Sequence, residues 1–243
     1  MTRLEQQPYL TMMKRLLLPL CLLVACGSMP PDPPPHLTLR AALDLLPFQM
    51  FASSTDTQAP GMPLKAIWGV GSVTPQEVVD TLKLAGMNLK LENVEMIGAP
   101  TLPPPLPTTS PLRAELSATA TGNSGEAYAF TVKLINTTTQ TLNLTYGLDV
   151  LNAVIEDNTG KAVFWATQGI VPALAVLNAC LPEQACDKEL NLSVQLSQFQ
   201  PKFPLLAGEY TLKVLVNSLE VSTGETSQEL KFSLPPQKLT VRP

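Results

Sequence analysis

The chain of 243 residues is poor in the side chains that enzymes use most often, because it contains one histidine, His36, and only 5% aromatic residues. It also lacks the G-x-S-x-G, H-E-x-x-H and glycine-rich phosphate-loop patterns of nucleophilic, zinc-dependent and nucleotide-binding sites. His36 directly follows the proline run PPDPPP, so we interpret it as a solvated linker residue. Because no paired titratable groups stand out as candidates, we predict that the chain is not an enzyme.

Charge and ligand spacing exclude two further classes of site. The chain has 16 Lys and Arg residues against 20 Asp and Glu residues and no basic block, so nothing indicates nucleic-acid binding. A structural zinc site needs four ligands, and Cys180 and Cys186 have no second Cys or His pair beside them. Glu156 and Asp157 are adjacent in EDNTGK, but the oxygen-ligand spacing of an EF-hand is missing, which favours a hairpin turn. We predict no metal and no cofactor.

The apolar run near the start of the chain is too short to cross a membrane. It covers residues 16–25, which is ten residues, whereas a membrane-spanning helix needs about 20. Lys14 and Arg15 precede the run and small residues close it. This layout is typical of a secretory signal peptide, which we place at residues 1–25.

The four residues LVAC at the end of this run resemble the lipobox of bacterial lipoprotein signals. The resemblance implies that the Cys26 thiol is alkylated with diacylglycerol, that cleavage follows Ala25, and that Cys26 becomes the acylated first residue. The alternative is an ordinary signal that is cleaved nearby, with Cys26 incidental. Lipidation would anchor the protein to a bacterial membrane in the cell envelope, and Gly27 after the cysteine favours the outer membrane.

Proline-rich stretches divide the rest of the chain. There are 24 prolines, and two dense stretches predict extended, semi-rigid connections, namely a tether over residues 26–35 and a linker over residues 100–111. They delimit a first ordered region of residues 36–99 and a second of residues 112–243. Each region is long enough to bury a core of its own, although the first is small.

Residues 36–99 predict a small α+β unit. TPQE indicates a helix start, with Thr74 as the cap, Pro75 in the first turn and Glu77 placed to cap back. Gly86 is expected to end that helix. LKAIWGV and KLENVEMIG are typical of flanking strands, whereas LTLRAALDLLPFQMF fits either a helix or a strand.

Residues 112–243 predict an immunoglobulin-like antiparallel β-sandwich, which makes the protein mainly β. Apolar and polar residues alternate with period two in AYAFTVKLIN, TLNLTY, ELNLSVQLS and GEYTLKVLVN, as in strands with one buried face. Turn signals at TGNSGE, NTTTQ, EDNTGK and STGE separate them at the intervals of a sandwich. Tyr210 follows Gly208 at the start of a late strand, which fits either a tyrosine corner or a core aromatic residue with its hydroxyl in water.

The stretch FTVKLINTTTQTLNLTYGLDVLNAVIEDNTGKAVFWATQ, followed by LLAGEYTLKVLV, resembles the BsuPI-type intracellular proteinase inhibitor domain over about residues 125–220. That family shows a strand ending in Asn, a second strand, a Gly-containing turn, a D-x-x-G-x-x-V-W stretch and a closing P-G-x-Y. This chain supplies Asn136, Gly147, Asp157, Gly160, Val163, Gly208 and Tyr210, with Trp165 displaced by Phe164. The resemblance implies an immunoglobulin-like fold and inhibition of a proteinase. The shifted tryptophan, the added cysteine pair and the export signal depart from the family pattern.

The four cysteines have separate predicted fates. Cys21 leaves with the signal peptide and Cys26 carries the lipid, whereas Cys180 and Cys186 lie between predicted strands and, in an exported protein, indicate a disulfide. Closing so short a loop would contribute about 2 kcal/mol in the chain-entropy model. We expect a rigid, exposed loop that contacts a partner through Leu181, Pro182, Glu183 and Gln184, with a simple staple on a long connection as the alternative.

Three functional hypotheses from different classes follow. The first is a membrane-anchored protein-binding module whose partner is a protease or another envelope protein. The second is a non-inhibitory structural or assembly lipoprotein of the envelope. The third is a hydrolase, which would require a cleft lined by titratable groups, expected between the two regions.

Overall fold

The structure of the protein is a computed structural model that describes residues 37–55, 64–166, 175–224 and 226–243. The predicted signal peptide and tether, with Cys26 and His36, lie outside these described residues. Within them, no helix combines the length and the hydrophobicity needed to cross a membrane.

In its described residues, the first region contains two helices, a single 3₁₀ turn and a three-stranded sheet. In chain order these are α1 (Leu39–Leu43), β1 (Phe48–Thr55), β2 (Leu64–Gly71), α2 (Pro75–Leu84), the 3₁₀ turn (Leu91–Asn93) and β3 (Val94–Met96). The sheet order is β1-β2-β3, with β1 antiparallel and β3 parallel to β2. The segment LTLRAALDLLPFQMF, whose pattern fitted either a helix or a strand, forms the helix α1 followed by the start of the strand β1. The predicted small α+β unit is present.

Both ends of α2 are determined by the residues that the sequence indicated. The Glu77 N–H donates to Thr74 Oγ1 at 3.3 Å, and the Thr74 N–H donates to Glu77 Oε2 at 2.7 Å, which is a complete capping box. At the other end Gly86 has φ +80°, and the Met87 N–H donates to the Leu82 carbonyl at 2.8 Å. This is the Schellman arrangement, which needs a residue tolerant of positive φ.

The part of the second region that the structure describes forms eleven strands in two sheets. They are β4 (Leu112–Ala118), β5 (Thr121–Asn123), β6 (Ala127–Asn136), β7 (Leu142–Tyr146), β8 (Leu151–Glu156), β9 (Ala162–Trp165), β10 (Val176–Cys180), β11 (Leu190–Gln195), β12 (Gly208–Thr223), β13 (Thr226–Ser233) and β14 (Gln237–Arg242). The four predicted strands correspond to β6, β7, β11 and β12. Along β6 the burial alternates residue by residue, as the sequence pattern indicated.

The long strand β12 is the centre of the larger sheet. Its first half pairs with β8 on one side and β14 on the other, and its second half pairs with β7 and β13. Farther out, β9 pairs with β8, β10 pairs with β7, and β5 runs parallel to β14. The consecutive strands β7 and β8 therefore pair with successive parts of β12, β7 with its second half and β8 with its first.

The smaller sheet has the order β11-β6-β4 and packs against the larger one. One sheet is formed by β4, β6 and β11, and the opposite sheet is built on β7, β12 and β14. This division of the strands is the immunoglobulin-type arrangement. Side chains from both sheets form one core, with Val132 and Leu134 from β6 facing a set that includes Leu144 and Val214. Burying each of these side chains contributes about 1.5–3 kcal/mol.

Tyr210 forms a tyrosine corner. Its hydroxyl donates to the carbonyl of Leu206, four residues upstream, at 2.9 Å. The bond ties the start of β12 to the loop that enters it, as in other immunoglobulin-like sandwiches. Of the two interpretations of Tyr210, the corner is therefore confirmed.

A buried cluster joins the two regions. It contains Val70 from β2, Val154 from β8, Trp165 from β9 and Phe199 from the loop before β12. The rings of Trp165 and Phe199 meet edge to face, with 4.6 Å between centroids and 83° between planes. Because of such contacts, Leu37–Pro243 forms one compact unit.

Two hydrogen bonds reinforce this junction. The Ser72 hydroxyl after β2 donates to the Val163 carbonyl in β9 at 3.1 Å. On the other side of the cluster, the Gln200 side-chain amide donates to the Phe48 carbonyl at the start of β1. The junction thus combines apolar burial with directional bonds from both regions.

The proline-rich linker runs along the sandwich in addition to connecting the two regions. The Ser233 N–H donates to the Pro104 carbonyl at 3.1 Å, and Pro105 forms a parallel bridge with Ser233. The neighbouring Leu106 packs against the sandwich core. The linker therefore covers part of the β13 edge, where unpaired backbone groups would otherwise be exposed.

The junction predicts that the sandwich is less stable without the first region. Residues 112–243 alone would expose Trp165 and Phe199, and we expect the free energy of unfolding to be lower by about 3–5 kcal/mol than for residues 37–243, as for truncation of a buried aromatic residue. Urea denaturation followed by circular dichroism measures the difference. In the longer chain, Val70→Ala should show a smaller loss in the same direction. Equal stability of the two chains would contradict a stabilising junction.

Candidate functional site

The strand register brings three connections to one end of the sandwich. Leu142 at the start of β7 pairs with Cys180 at the end of β10, and the next residue, Asn143, pairs with Ser222 near the end of β12. The β6–β7 turn, the loop closed by Cys180 and the β12–β13 turn therefore lie together. We call residues 137–141, 181–185 and 223–224 the disulfide end. In immunoglobulin variable domains, connections clustered at one end of the sandwich form the binding surface.

The predicted disulfide between Cys180 and Cys186 is present, and both cysteines are buried in the sandwich core. The loop residues singled out from the sequence lie above it: Leu181 is 49% exposed, Glu183 and Gln184 are exposed, and Pro182 is half-buried. Glu183 has φ +56°, a left-handed conformation that costs an ordinary residue on the order of 1 kcal/mol or more. The surrounding bonds must hold this loop in place.

The side chain of Asn136 supplies the central bonds. Asn136 is completely buried, and its Nδ2 donates to the Gln140 carbonyl at 2.7 Å and to the Cys180 carbonyl at 2.9 Å. Its Oδ1 accepts from the Thr138 N–H and from the Thr138 hydroxyl, both at 2.8 Å. Both amide protons and both lone pairs are therefore used. One side chain ties the β6–β7 turn to the disulfide loop.

Backbone bonds extend this connection along the loop. The Asn136 N–H donates to the Gln184 carbonyl at 2.9 Å, and the Glu183 N–H donates to the Thr138 carbonyl at 3.2 Å. Below them the Cys186 N–H donates to the Leu134 carbonyl at 2.9 Å. A loop held at both ends and in the middle loses little conformational entropy when a partner binds.

The surface of the disulfide end is rich in uncharged hydrogen-bonding groups. Its exposed polar side chains are Thr137, Thr139, Gln140, Thr141 and Gln184. Glu183 adds one carboxylate and Leu181 adds one large apolar side chain. Small polar groups around an apolar contact are suited to recognition of another protein rather than to acid–base chemistry.

A second concave feature, which we call the junction cleft, lies where the first region meets the sandwich. It has a volume of about 510 Å³ and is lined by Phe51, Val70, Ile97, Gly98, Pro100, Asn152, Trp165 and Ala166. None of these lining residues has a titratable side chain. The hydrolase hypothesis requires titratable groups in a cleft at this place, and the described lining supplies none.

A smaller cleft of about 280 Å³ lies on the other side of the junction, between α1 and the loop before β12. Its described lining includes two charged residues, Arg40 and Asp44, one turn apart at α1. No histidine, cysteine or lysine accompanies them there, so the lining lacks the nucleophile and oriented base of a hydrolytic site.

The EDNTGK stretch forms the predicted hairpin turn between β8 and β9. Asp157 Oδ1 accepts the N–H groups of Thr159 at 2.9 Å and Lys161 at 3.0 Å, and Gly160 has φ +81°. Burial raises the pKa of the Asp157 carboxyl, but the bonds from Thr159 and Lys161 together outweigh it and bring the pKa below its ordinary value. Across the described residues, no three His, Cys, Asp or Glu side chains form a group that could hold a metal ion.

The residues that carry the BsuPI-type resemblance are distributed over the sandwich. Asn136 fixes the disulfide end, Gly160 allows the β8–β9 turn, Trp165 belongs to the junction cluster, and Tyr210 forms the corner. These are positions of turns, packing and loop support. They describe a fold better than an activity.

No protein-family model and no curated protein sequence matches the chain. Among solved structures, it is similar to the CARDB domain of a Pyrococcus furiosus protein in complex with di-metal ions, at 12% identity and TM-score 0.28, over 60% of this chain and 95% of that one. It is also similar to the sporulation control protein Spo0M of Bacillus subtilis, at 11% identity and TM-score 0.28, over 55% and 50% of the two chains. A PapD-like domain of human CEP192 has 14% identity and TM-score 0.27, over 60% and 96%. Similarities at this level assign no function to the chain.

Removal of the Asn136 amide is predicted to loosen the disulfide end. Asn136→Ala removes the side-chain partner of the Cys180 carbonyl and of the Thr138 N–H, whereas the Gln140 carbonyl keeps its bond from the Thr138 hydroxyl. We expect the free energy of unfolding to fall by about 2–3 kcal/mol. Asn143→Ala on the exposed face of β7 is the matched control and should change it by less than about 0.5 kcal/mol. Urea denaturation with the disulfide intact measures both. Equal effects of the two substitutions would contradict the role of Asn136.

Proposed function

We propose that the protein is a non-catalytic protein-binding module, anchored by a lipid on Cys26 to a bacterial membrane in the cell envelope. The observation that carries the binding role is the disulfide end, where Asn136 and the Cys180–Cys186 bond hold neighbouring loops in one arrangement. Preorganised loops bind at lower entropic cost than mobile ones. The lipobox-like LVAC sequence supports the anchor.

The proposed contact surface is the loop from Leu181 to Gln184 with the adjacent threonines. Leu181 provides an apolar anchor, and the surrounding hydroxyl and amide groups can form hydrogen bonds at the rim. The partner class is another protein of the envelope. Inhibition of a protease is the finer proposal, and it is supported by the resemblance to BsuPI-type inhibitor domains.

A non-inhibitory assembly role is the second candidate, and the junction favours it. Val70 of the first region packs against Trp165 and Phe199 of the sandwich, so the exposed surfaces of both regions belong to one compact unit. An inhibitor needs only one such surface, whereas an assembly factor can use several. The two roles therefore differ in the number of surfaces at which substitutions abolish function: one for an inhibitor and several for an assembly factor.

The anchor is tested by substituting the two cysteines near the start of the chain. Cys26→Ala should abolish incorporation of labelled palmitate and release the protein from the membrane fraction, because stable anchoring takes two or more acyl chains. Cys21→Ala, five residues earlier, is the matched control and should keep both properties. Cys26→Ala protein that is still acylated and still sediments with membranes would contradict the anchor.

The binding role is tested with the chain from residue 26 onward carrying Cys26→Ser. This protein is titrated against a panel of serine, cysteine and metalloproteases, including extracts of the host envelope, and residual activity is measured. Stoichiometric inhibition that weakens at least about tenfold in Leu181→Asp, a loss of about 1.4 kcal/mol, would support the proposed contact. Leu177→Asp, at a leucine of β10 that is 69% exposed, is the control. Absence of inhibition across the panel would overturn the inhibitory proposal and leave assembly to be tested by crosslinking in the envelope.

A further inference from the structure

The junction cleft exposes large apolar side chains at its rim. The helices of the first region cover one face of the β1-β2-β3 sheet, and the sandwich covers only part of the other face. Val70 and Trp165 are buried at the base of the cleft, but Phe51 remains 42% exposed and Ile97 remains 44% exposed. Apolar side chains gathered around a concavity are a frequent feature of binding sites.

The charge of the cleft restricts what can bind there. Because none of its described lining residues is ionisable, a charged group that entered would lose hydration without gaining a counter-charge. The complementary occupant is therefore uncharged and largely apolar. A volume of about 510 Å³ lies within the range of ligand sites and exceeds what one small side chain would fill.

Among the described lining residues, Asn152 carries the side-chain amide that can anchor a ligand in the cleft. It is 7% exposed, and its Oδ1 accepts the Ala153 N–H at 2.8 Å. In the described part of the chain its Nδ2 has no acceptor, whereas every side-chain nitrogen or oxygen that is fully shielded there has a partner. The Asn152 amide is therefore open to the cleft as a donor. A donor beside apolar walls is suited to a backbone carbonyl next to an apolar side chain.

We propose that the junction cleft binds an uncharged, extended peptide segment of a partner protein. A large apolar side chain of that segment lies between Phe51 and Ile97 over Trp165, and its neighbouring carbonyl accepts from Asn152 Nδ2. An extended peptide repeats carbonyl and side chain along its length, which a fatty acyl chain does not. The inference rests on the proposed binding role but concerns a surface separate from the disulfide end.

Short neutral peptides test the inference directly. The chain from residue 26 onward with Cys26→Ser is labelled with ¹⁵N and titrated with acetylated, amidated pentapeptides that carry one test residue between glycines. Peptides with phenylalanine or leucine should shift the Asn152 side-chain amide and the Trp165 indole signals. Peptides with alanine, lysine or glutamate at the same concentration should leave both signals in place.

Gly98 offers a way to block the cleft without disturbing the core. A Cβ at Gly98 would meet no atom within 4 Å, so Gly98→Leu should fill the cleft and weaken binding of the phenylalanine peptide at least about tenfold. Thr139→Leu adds the same side chain at the exposed disulfide end and serves as the matched control. Phe51→Ser should weaken binding by removing one wall. Unchanged signal dispersion confirms that each variant is folded.

Several outcomes would overturn the inference. One is that no peptide shifts the cleft signals, and another is that the shifts persist in Gly98→Leu. Shifts produced by decanoate or by phosphatidylglycerol vesicles but not by peptides would make the cleft a lipid site. Shifts that change on dilution of the protein alone would make it a contact between two copies. Each result leaves the Cys26 anchor and the Leu181 contact unaffected, because those are measured in separate experiments.

Discussion

The buried amide of Asn136 is the interaction on which the arrangement of the disulfide end depends. An asparagine without partners at a completely buried position would cost several kcal/mol, so its four hydrogen bonds are a requirement of the fold. Those bonds reach the turn after β6 and the carbonyl of Cys180, 44 residues away. The disulfide alone constrains one loop, whereas the amide fixes that loop relative to its neighbour. The positions of the exposed side chains of the disulfide end therefore depend on the Asn136 amide.

Local patterns of the sequence were sufficient to predict four strands of the sandwich, β6, β7, β11 and β12, and the ends of α2. Alternation along β6 and the residues Thr74, Glu77 and Gly86 act within a few residues, and short-range physics leaves few alternatives there. The Cys180–Cys186 bond was also predictable, because a cysteine pair between strands of a chain with an export signal indicates a disulfide. It was not predicted from the sequence that the β6–β7 turn is bonded to the disulfide loop by the side chain of Asn136. The run of threonines after it was the available signal, since asparagine commonly bonds to backbone groups just ahead in such turns.

The junction could not be read from the sequence, because its contacts join residues far apart in the chain. Val70 and Phe199 belong to separate regions, and neither has a local pattern that marks it as a contact. Phe199 also has φ +64°, which sequence rules associate with glycine or asparagine rather than phenylalanine. Burial of its ring against Trp165 offsets the cost of that conformation. The junction cleft is lined by residues from both regions, so it could not be predicted from the sequence either.

The two candidate surfaces are separated along the same strand. Val154, in the junction cluster, pairs with Lys213, and Asn143, beside the disulfide end, pairs with Ser222. Nine residues of β12 correspond to about 30 Å of strand. Substitutions at this distance, with no shared partners, should act independently of each other. A partner that bound only at the disulfide end would therefore be indifferent to the junction cleft. A partner whose binding is weakened by substitutions at both surfaces would have to extend along the sheet from one to the other. A small protease bound at one surface need not do so, whereas a large envelope assembly can.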